Sequence, residues 1–175
     1  MRLRLDVVGR EDSCGIDYDV LADVLGAFAG RIAPEDCREL SVALSFVSPE
    51  DIRELNVRYR EVDEETDVLS FPLWEEGGRF APPEWEELPL GDVVVSPGYI
   101  SDSAGKGNMD YNSEIILVIV HGVLHLLGFD HDNDERKSGM WSAQEALLRG
   151  YFSRLPVAGE QWLCNKADAV IFEED

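Results

Sequence analysis

All three histidines of the chain lie within eleven consecutive residues, at His121, His125 and His131. His121 and His125 are four positions apart, so on a helix their side chains leave from the same face, with about 6 Å of axial rise between them. Two imidazoles placed in this way can bind one metal ion, whose ligand nitrogens lie only about 2.0–2.1 Å from the metal. The spacing therefore predicts a metal site on a helix.

His131 can join this site only if the helix ends before it, because six residues beyond His125 it would point away from the shared face. Gly128 stands between them, where the C-terminus of a helix favours a residue that tolerates positive φ. We expect Gly128 to end the helix and to let the chain bring His131 back. The alternative is that these are three ordinary histidines at the end of an apolar helix.

The types of side chain indicate which metal is expected. Three neutral nitrogens leave a fourth position for water, as in catalytic rather than structural zinc sites, and imidazole suits zinc better than magnesium or calcium. The cysteines are scattered, at Cys14, Cys37 and Cys164, and form no C-x-x-C pair. The sequence thus predicts one zinc ion on His121, His125 and His131.

The segment matches the metzincin peptidase pattern H-E-x-x-H-x-x-G-x-x-H at every position except one. In those peptidases the glutamate after the first histidine is the general base, whereas this chain has Gly122 there. Either the base comes from elsewhere, or a substrate group takes the proton. Ordinary peptide hydrolysis is therefore the less expected chemistry.

Length, charge and cysteine usage limit the class of protein. A chain of 175 residues can bury one core, and we expect a single domain spanning residues 1–175. There is no apolar N-terminal run and no stretch of about 18 apolar residues, and three spaced cysteines fit a reducing compartment, so the predicted location is the cytoplasm, with no membrane association.

The formal net charge of −21 argues against broad affinity for phosphate, because nucleic-acid binders usually carry a basic surface. Much of the acidic excess lies between Glu61 and Glu87, which we interpret as a solvated acidic loop. A zinc ion would still supply strong local positive charge, so an anionic substrate stays compatible with the site.

Apolar alternation predicts strands, and amphipathic spacing with capping residues predicts helices. The predicted strands are Leu3 to Val7, Leu40 to Phe46, Val68 to Phe71 and Asp92 to Val95. The predicted helices are Asp17 to Ala33, Ser48 to about Tyr59, a short helix within 98–108, the metal helix capped by Asn112 or Ser113, and Ser138 to Phe152. Leu73 to Leu90 is predicted to be a loop. This order predicts an α+β fold with a mixed four-stranded sheet covered by helices, against which the metal helix packs.

Four other side chains near the histidines have two interpretations each. Glu114 lies on the same helix face as His121 and could approach a metal-bound water. The helix dipole alone, however, also favours a glutamate in the first turn. Met140 could form an apolar floor for the metal or belong to the core. Asp130 and Asp132 could accept a histidine N–H or be plain turn residues.

Arg58 and Arg60 close the helix that begins at Ser48. A cation at the C-terminus of a helix is commonly only complementary to the helix dipole. A guanidinium near a metal could instead bind a phosphate through two hydrogen bonds, so Arg60 is a candidate catalytic residue.

Three motifs together resemble the YbeY family of bacterial metal-dependent endoribonucleases, also called ribosomal RNA maturation factors. They are Leu55 to Arg60 with Thr66 to Pro72, then Leu90 to Ser96, then His121 to His131. The last motif is the most specific, because the glycine in place of glutamate separates this family from the metallopeptidases.

The resemblance implies an α+β domain distantly similar in shape to zinc peptidases, with a zincin-like metal helix and with zinc on His121, His125 and His131. It implies hydrolysis of single-stranded RNA, a part in 3′-end maturation of small-subunit ribosomal RNA, and a cytoplasmic location. Arg60 matches the functionally important arginine of the family. The small ribosomal subunit or its assembly factors are the implied partners.

Two rival functions stay open at this point. A peptidase or amidase with an unusual base would require a carboxylate near the metal in place of Gly122. A non-catalytic ribosome-assembly factor would use zinc only to stabilise its fold.

Overall fold

A computed structural model of the chain describes residues 1–9, 15–104 and 110–155. The strands are β1 (Arg2–Val8), β2 (Glu39–Phe46), β3 (Val68–Pro72), β4 (Glu75–Glu76), β5 (Arg79–Phe80) and β6 (Glu87–Val95). The helices are α1 (Tyr18–Ala29), α2 (Pro49–Arg60), α3 (Pro97–Ala104), α4 (Tyr111–Leu126) and α5 (Asp134–Phe152). None of the helices in these described ranges is long and apolar enough to span a bilayer.

The main sheet has four strands in the order β1-β2-β6-β3. β1 pairs with β2 and β2 with β6 in parallel, whereas β3 pairs with β6 antiparallel. The register of β2 against β6 shifts between Ser41 and Val42, where β6 carries one extra residue, and Gly91 in this bulge has φ +134. The α+β fold with a mixed four-stranded sheet is as predicted, and β3 is left as an edge strand.

The two faces of the sheet are covered differently. One face carries the main core, in which the buried side of β2 meets α1, α4 and α5. The other face is covered near β3 by α2, through a smaller cluster built on Ile52, Leu69 and Val94. Each fully buried aliphatic side chain of this kind contributes about 1.5–3 kcal/mol relative to an exposed one. The helix α4, which carries two of the histidines, thus packs against the sheet as expected.

The capping side chains place two helix starts differently from the prediction. Asp110, rather than Asn112 or Ser113, is the N-cap of α4, because its carboxylate accepts a hydrogen bond from the backbone N–H of Ser113 at 3.1 Å. Helix α5 begins at Asp134 and not at Ser138, because the side chain of Asn133 accepts from the N–H of Arg136 at 3.0 Å. The prediction missed both caps because each lies before the apolar pattern begins.

The segment from Leu73 to Leu90, predicted as a loop, is more regular than expected. It contains the two-stranded hairpin β4–β5, in which Glu75 pairs with Phe80 and Glu76 with Arg79. Its last residues already belong to β6, which begins at Glu87 rather than at Asp92. Polar and acidic composition concealed both strands, because their backbone pairing does not depend on an apolar pattern.

The remaining elements agree with the sequence in kind. The observed α1 ends at Ala29, four residues before the predicted end, and α2 begins after the predicted cap, Ser48. Cys37 is buried, as a free thiol would be. Cys14, Cys164, the end of the predicted helix within 98–108 and the acidic tail 172–175 lie outside the described residues.

Candidate metal centre

His121 and His125 occupy the C-terminal half of α4, where their side chains leave from the same face. Their rings lie with centroids 4.7 Å apart, and the two Nε2 atoms are separated by 3.1 Å. For comparison, tetrahedral ligands at about 2.0–2.1 Å from a metal lie about 3.3 Å from one another. The two nitrogens are therefore already spaced as ligands of one ion.

Gly128 ends the helix and turns the chain, as predicted. Its N–H donates to the carbonyl of His125 at 3.0 Å, and the N–H of Phe129 donates to the carbonyl of Leu124 at 3.0 Å. These two bonds form a Schellman motif, which requires the left-handed backbone that Gly128 adopts with φ +82. The turn needs glycine for a second reason, since a Cβ there would lie 2.6 Å from the backbone nitrogen of Phe80.

The turn brings His131 beside the other two histidines. The ring centroid of His131 lies 5.6 Å from that of His121 and 5.3 Å from that of His125. One ligand atom from each ring lies within 4.8 Å of the others. Among the residues that the structure describes, this is the one group of His, Cys, Asp or Glu side chains placed so that it could hold a metal ion.

Burial, together with the neighbouring His121 and His131, lowers the pKa of His125 to about 4, against a smaller opposing effect of Asp130. The ring is therefore neutral at neutral pH. A neutral imidazole is the form that binds a metal, so the donor set fits an ion without first having to lose a proton there.

Gln144 and Trp141, both on α5, contact the histidines and were not predicted as site residues. Gln144 Oε1 lies 3.1 Å from Nδ1 of His121, where it accepts the ring N–H. This contact fixes the tautomer in which Nε2 carries the lone pair, which is the usual arrangement behind a metal-binding histidine. Trp141 packs beside the rings, with centroids 6.0 Å from His121 and 5.9 Å from His131.

Gly122, which stands where the peptidase pattern has glutamate, is buried against the sheet. A Cβ at this position would lie 2.7 Å from Val93 Cγ1, 3.1 Å from Ser70 Oγ and 3.2 Å from Val68 Cγ2. The carbonyl of Gly122 accepts a hydrogen bond from Ser70 Oγ at 3.0 Å. The missing side chain thus lets α4 approach β3 and β6 closely, a packing reason that the sequence did not reveal.

The three histidines face a cleft of about 450 Å³. One side of it, which we call the α2–β3 wall, is formed by the end of α2, the following loop and the edge strand β3. Its residues include Asn56, Arg60, Asp67, Ser70 and Pro72. The structure therefore brings Arg60 into the same cleft as His121, His125 and His131.

Arg60 is exposed, and its Nη2 donates to the carbonyl of Ser70 at 3.3 Å. The loop beside it is held by the buried side chain of Asn56, whose Nδ2 donates to the carbonyl of Glu64 at 3.0 Å. Glu61, directly after Arg60, caps α2 in the left-handed conformation with φ 58. The guanidinium of Arg60 has five N–H donors, so most of them stay available to a ligand.

The other side of the cleft, which we call the hairpin wall, is formed by the β4–β5 hairpin and the turn that follows α4. Its residues include Glu75, Gly78, Gly128, Asp130 and Arg136. Arg136 connects its parts, since Nη2 donates to the carbonyls of Gly78 at 2.6 Å and of Gly128 at 3.4 Å. Its Nη1 binds Asp132 at 2.9 Å and lies 3.8 Å from Asp130.

The other candidates from the sequence lie around the histidines as follows. Met140 is fully buried in the core. Asp130 accepts a hydrogen bond from the backbone N–H of His131 at 2.8 Å, and Asp132 pairs with Arg136, which are contacts that turn residues make. Glu114 is not among the cleft residues; burial and the nearby Asp67 raise its pKa.

A family model described as "Endoribonuclease YbeY" matches residues 19–151. A curated protein of that name from Nocardia farcinica is 34% identical over 164 residues, which cover 93% of this chain and 88% of that protein. One from Shouchella clausii is 39% identical over 136 residues, which cover 75% and 84%. One from Mycobacterium tuberculosis is 29% identical over 164 residues, which cover 93% and 85%.

Among solved structures, the solution structure of a Thermotoga maritima protein matches this chain with a TM-score of 0.56 at 24% sequence identity. The match covers 95% of this chain and 97% of that chain. At this level of identity the likeness concerns the fold alone, and it supports the α+β architecture.

Proposed function

The chain belongs to the endoribonuclease YbeY family, and we propose that it is a zinc-dependent endoribonuclease that cleaves single-stranded RNA. The observation that carries this proposal is that three convergent imidazoles and the guanidinium of Arg60 line one cleft. An available arginine beside a metal site suits an anionic phosphodiester better than a neutral amide.

Zinc is the proposed ion, on His121, His125 and His131, because three neutral imidazoles favour it. When bound, it would supply positive charge and acidify water in the cleft. Gln144 keeps the ring of His121 in its metal-binding tautomer, and Trp141 restricts the rings of His121 and His131 by packing against them. These contacts preorganise the donors before an ion arrives.

Arg60 is the proposed catalytic residue, because its donors can hold two oxygens of one phosphate. The bond from Nη2 to the carbonyl of Ser70 keeps its guanidinium at the edge of β3, inside the cleft. A phosphate held there would lie in the same cleft as the histidines. Arg60 also offsets charge that develops on the phosphate oxygens during cleavage.

The size of the cleft and the charge of the chain support a single-stranded substrate. A volume of about 450 Å³ is in the range of sites for small ligands, and single-stranded RNA can present one nucleotide to such a site. With a net charge of −21, the surface offers little general attraction to a duplex. Binding would depend on the local positive charge at the cleft.

The family resemblance extends the proposal to the cell. The substrate would be the 3′ end of small-subunit ribosomal RNA, in the cytoplasm, and the partners would be the small ribosomal subunit or its assembly factors. The whole chain, residues 1–175, would act as one catalytic domain. Cells carrying His125→Ala as their sole copy would then accumulate unprocessed 3′ ends, which sequencing of the RNA termini would measure.

The direct test compares cleavage of matched single- and double-stranded RNAs by the wild type, His125→Ala, Arg60→Ala and Arg149→Ala. The last variant is the control, because it removes the same charge from an exposed position on α5 that does not line the cleft. We expect His125→Ala to lose bound zinc and cleavage, and Arg60→Ala to keep zinc but lose most of its cleavage. Arg149→Ala should behave as the wild type does.

The outcomes also separate the rival functions. Full cleavage by a zinc-free His125→Ala protein would refute the metal-dependent mechanism. Cleavage of peptides but not of RNA would favour an amide hydrolase. Normal ribosomal RNA processing by a folded Arg60→Ala protein, together with a loss of stability on zinc removal, would favour an assembly factor with structural zinc.

A further inference from the structure

Tyr59 stands directly before Arg60, and its side chain is unusually placed for an aromatic residue. It is 56% exposed, a large fraction for an aromatic side chain. The ring is nevertheless held in position, since its centroid lies 5.2 Å from that of Phe71 in an edge-to-face contact. Arg58 lies over it, with Cζ 5.4 Å from the centroid.

The two consecutive residues Tyr59 and Arg60 contact two consecutive residues of the edge strand β3. Arg60 donates to the carbonyl of Ser70, on the side of β3 that lines the cleft. Tyr59 packs on Phe71, whose side chain belongs to the small cluster under α2 on the other face of the sheet. The tyrosine ring therefore lies just over the edge strand from the cleft.

Two arginines flank this ring in the sequence. Arg58 and Arg60 form no ion pair with a carboxylate among residues 1–9, 15–104 and 110–155, in a chain whose net charge is −21. Exposed aromatic rings between cationic side chains are the means by which proteins bind single-stranded nucleic acids, through base stacking and phosphate contacts.

We infer that Tyr59, between Arg58 and Arg60, is a stacking platform for one nucleobase of the RNA. The inference rests on the proposed function, in which Arg60 holds a phosphate in the cleft. Because Tyr59 and Arg60 are adjacent in the chain, the base on Tyr59 belongs to a nucleotide next to the phosphate on Arg60. The flat ring accepts any base, so this contact adds affinity without sequence preference.

The test measures equilibrium binding of a short fluorescent single-stranded RNA to the zinc-loaded full chain by anisotropy, with the RNA checked on a gel for integrity. Tyr59→Leu keeps an apolar cover over Phe71 but removes the flat ring, and we expect about tenfold weaker binding. Tyr59→Phe keeps the ring and should stay within about twofold of the wild type.

Trp85→Leu is the matched control. Trp85 is also half exposed and also packs edge to face on an aromatic ring, that of Trp74 at 5.1 Å, but it lies between Glu84 and Glu86 and not between two arginines. Its replacement should leave RNA binding unchanged. An equal loss of affinity in Trp85→Leu and Tyr59→Leu would overturn the inference.

A second RNA of the same length, in which abasic riboses replace the nucleotides, separates stacking from a structural role. We expect the wild type and Tyr59→Leu to bind this abasic RNA equally, because it has no bases. If Tyr59→Leu loses as much affinity for the abasic chain as for RNA, or loses none for RNA, the inference is wrong.

The same experiments keep the two proposals apart. Base-dependent binding through Tyr59 without any cleavage would refute the proposed function and leave the platform intact. Cleavage by the wild type with unchanged RNA binding in Tyr59→Leu would refute the platform and leave the proposed function intact. A wild-type protein that binds no single-stranded RNA would overturn both.

Discussion

Arg60 and Arg136 line the same cleft from different walls, and their donors are occupied to very different degrees. Arg136 binds the carbonyls of Gly78 and Gly128 and the carboxylate of Asp132, and it lies near that of Asp130. The guanidinium of Arg60 makes one hydrogen bond within the described part of the chain, to the carbonyl of Ser70. The guanidinium of Arg136 is therefore already used by the protein, whereas that of Arg60 is available to a ligand.

The comparison separates two uses of one residue type. On the hairpin wall, acidic neighbours neutralise the positive charge of Arg136. Its side chain joins the β4–β5 hairpin to the turn that carries His131. On the α2–β3 wall, the helix end and the loop held by Asn56 fix the backbone and leave the guanidinium of Arg60 exposed. The presence of an arginine in a cleft is thus weak support for phosphate binding until its partners are counted.

The largest effect is expected from breaking the hairpin wall at Gly128. In Gly128→Ala, the left-handed backbone and the contact of the new Cβ with Phe80 should lower the free energy of unfolding by about 2–4 kcal/mol. Urea denaturation measures the change. Gly139→Ala is the control, because a Cβ there meets nothing within 4 Å on α5, and it should instead stabilise by about 0.5–1 kcal/mol. Equal effects of the two variants would contradict the account of the turn.

Gln144→Ala should weaken zinc binding by about 10- to 100-fold, because His121 loses the acceptor that fixes its tautomer. Competition with a chromophoric chelator measures the affinity. Gln144→Glu keeps an acceptor at this place and should retain most of it. Unchanged zinc affinity in Gln144→Ala would show that the ring of His121 is oriented by other contacts.

Removing either arginine should affect a different property of the protein. Arg136→Ala should lower the free energy of unfolding by about 1–2 kcal/mol, since charge-assisted bonds are lost from a partly exposed group. Arg60→Ala should change it by less than about 0.5 kcal/mol. It should weaken RNA binding and reduce the slope of log affinity against log salt by about 1. The comparison would fail if both variants changed stability and the salt slope alike.

The smallest effect concerns the α2–β3 wall at Glu61. Among the described residues, Glu61 is the one residue other than glycine whose φ is positive, at 58. Glu61→Gly should raise the free energy of unfolding by about 1 kcal/mol, because glycine adopts this backbone without strain. Glu61→Ala keeps the Cβ and should show no such gain, and thermal unfolding can compare the two. A loss of stability in Glu61→Gly would mean that the glutamate side chain, and not the backbone, holds this cap.

Local signals were sufficient for much of the histidine cluster. One short segment contains the spacing of His121 and His125, the glycine at 128 and the returning His131. The structure brings the three histidine side chains together. The cap at Ser48 is local in the same sense. Metal binding and the catalytic role of Arg60 stay predictions, although Arg60 does line the expected cleft.

Long-range contacts were the part that the sequence could not reveal. Gln144 lies 23 residues after His121, and Arg136 lies 58 residues after Gly78, so no local pattern connects either pair. The hairpin lies in a segment whose Pro, Gly and Glu residues predict a loop. In the sequence, Gly122 indicates only that a base is missing, since its close approach to Val93 depends on how α4 is placed on the sheet.

The close approach at Gly122 also bears on how such a chain could change its chemistry during evolution. Restoring the peptidase pattern needs one substitution in the sequence, but any side chain at 122 meets Val93 and Val68 on the sheet below. A glutamate there would be tolerated only if those valines became smaller or α4 moved outward. The step from one hydrolase pattern to the other therefore needs an adjustment in the sheet as well as the substitution at position 122.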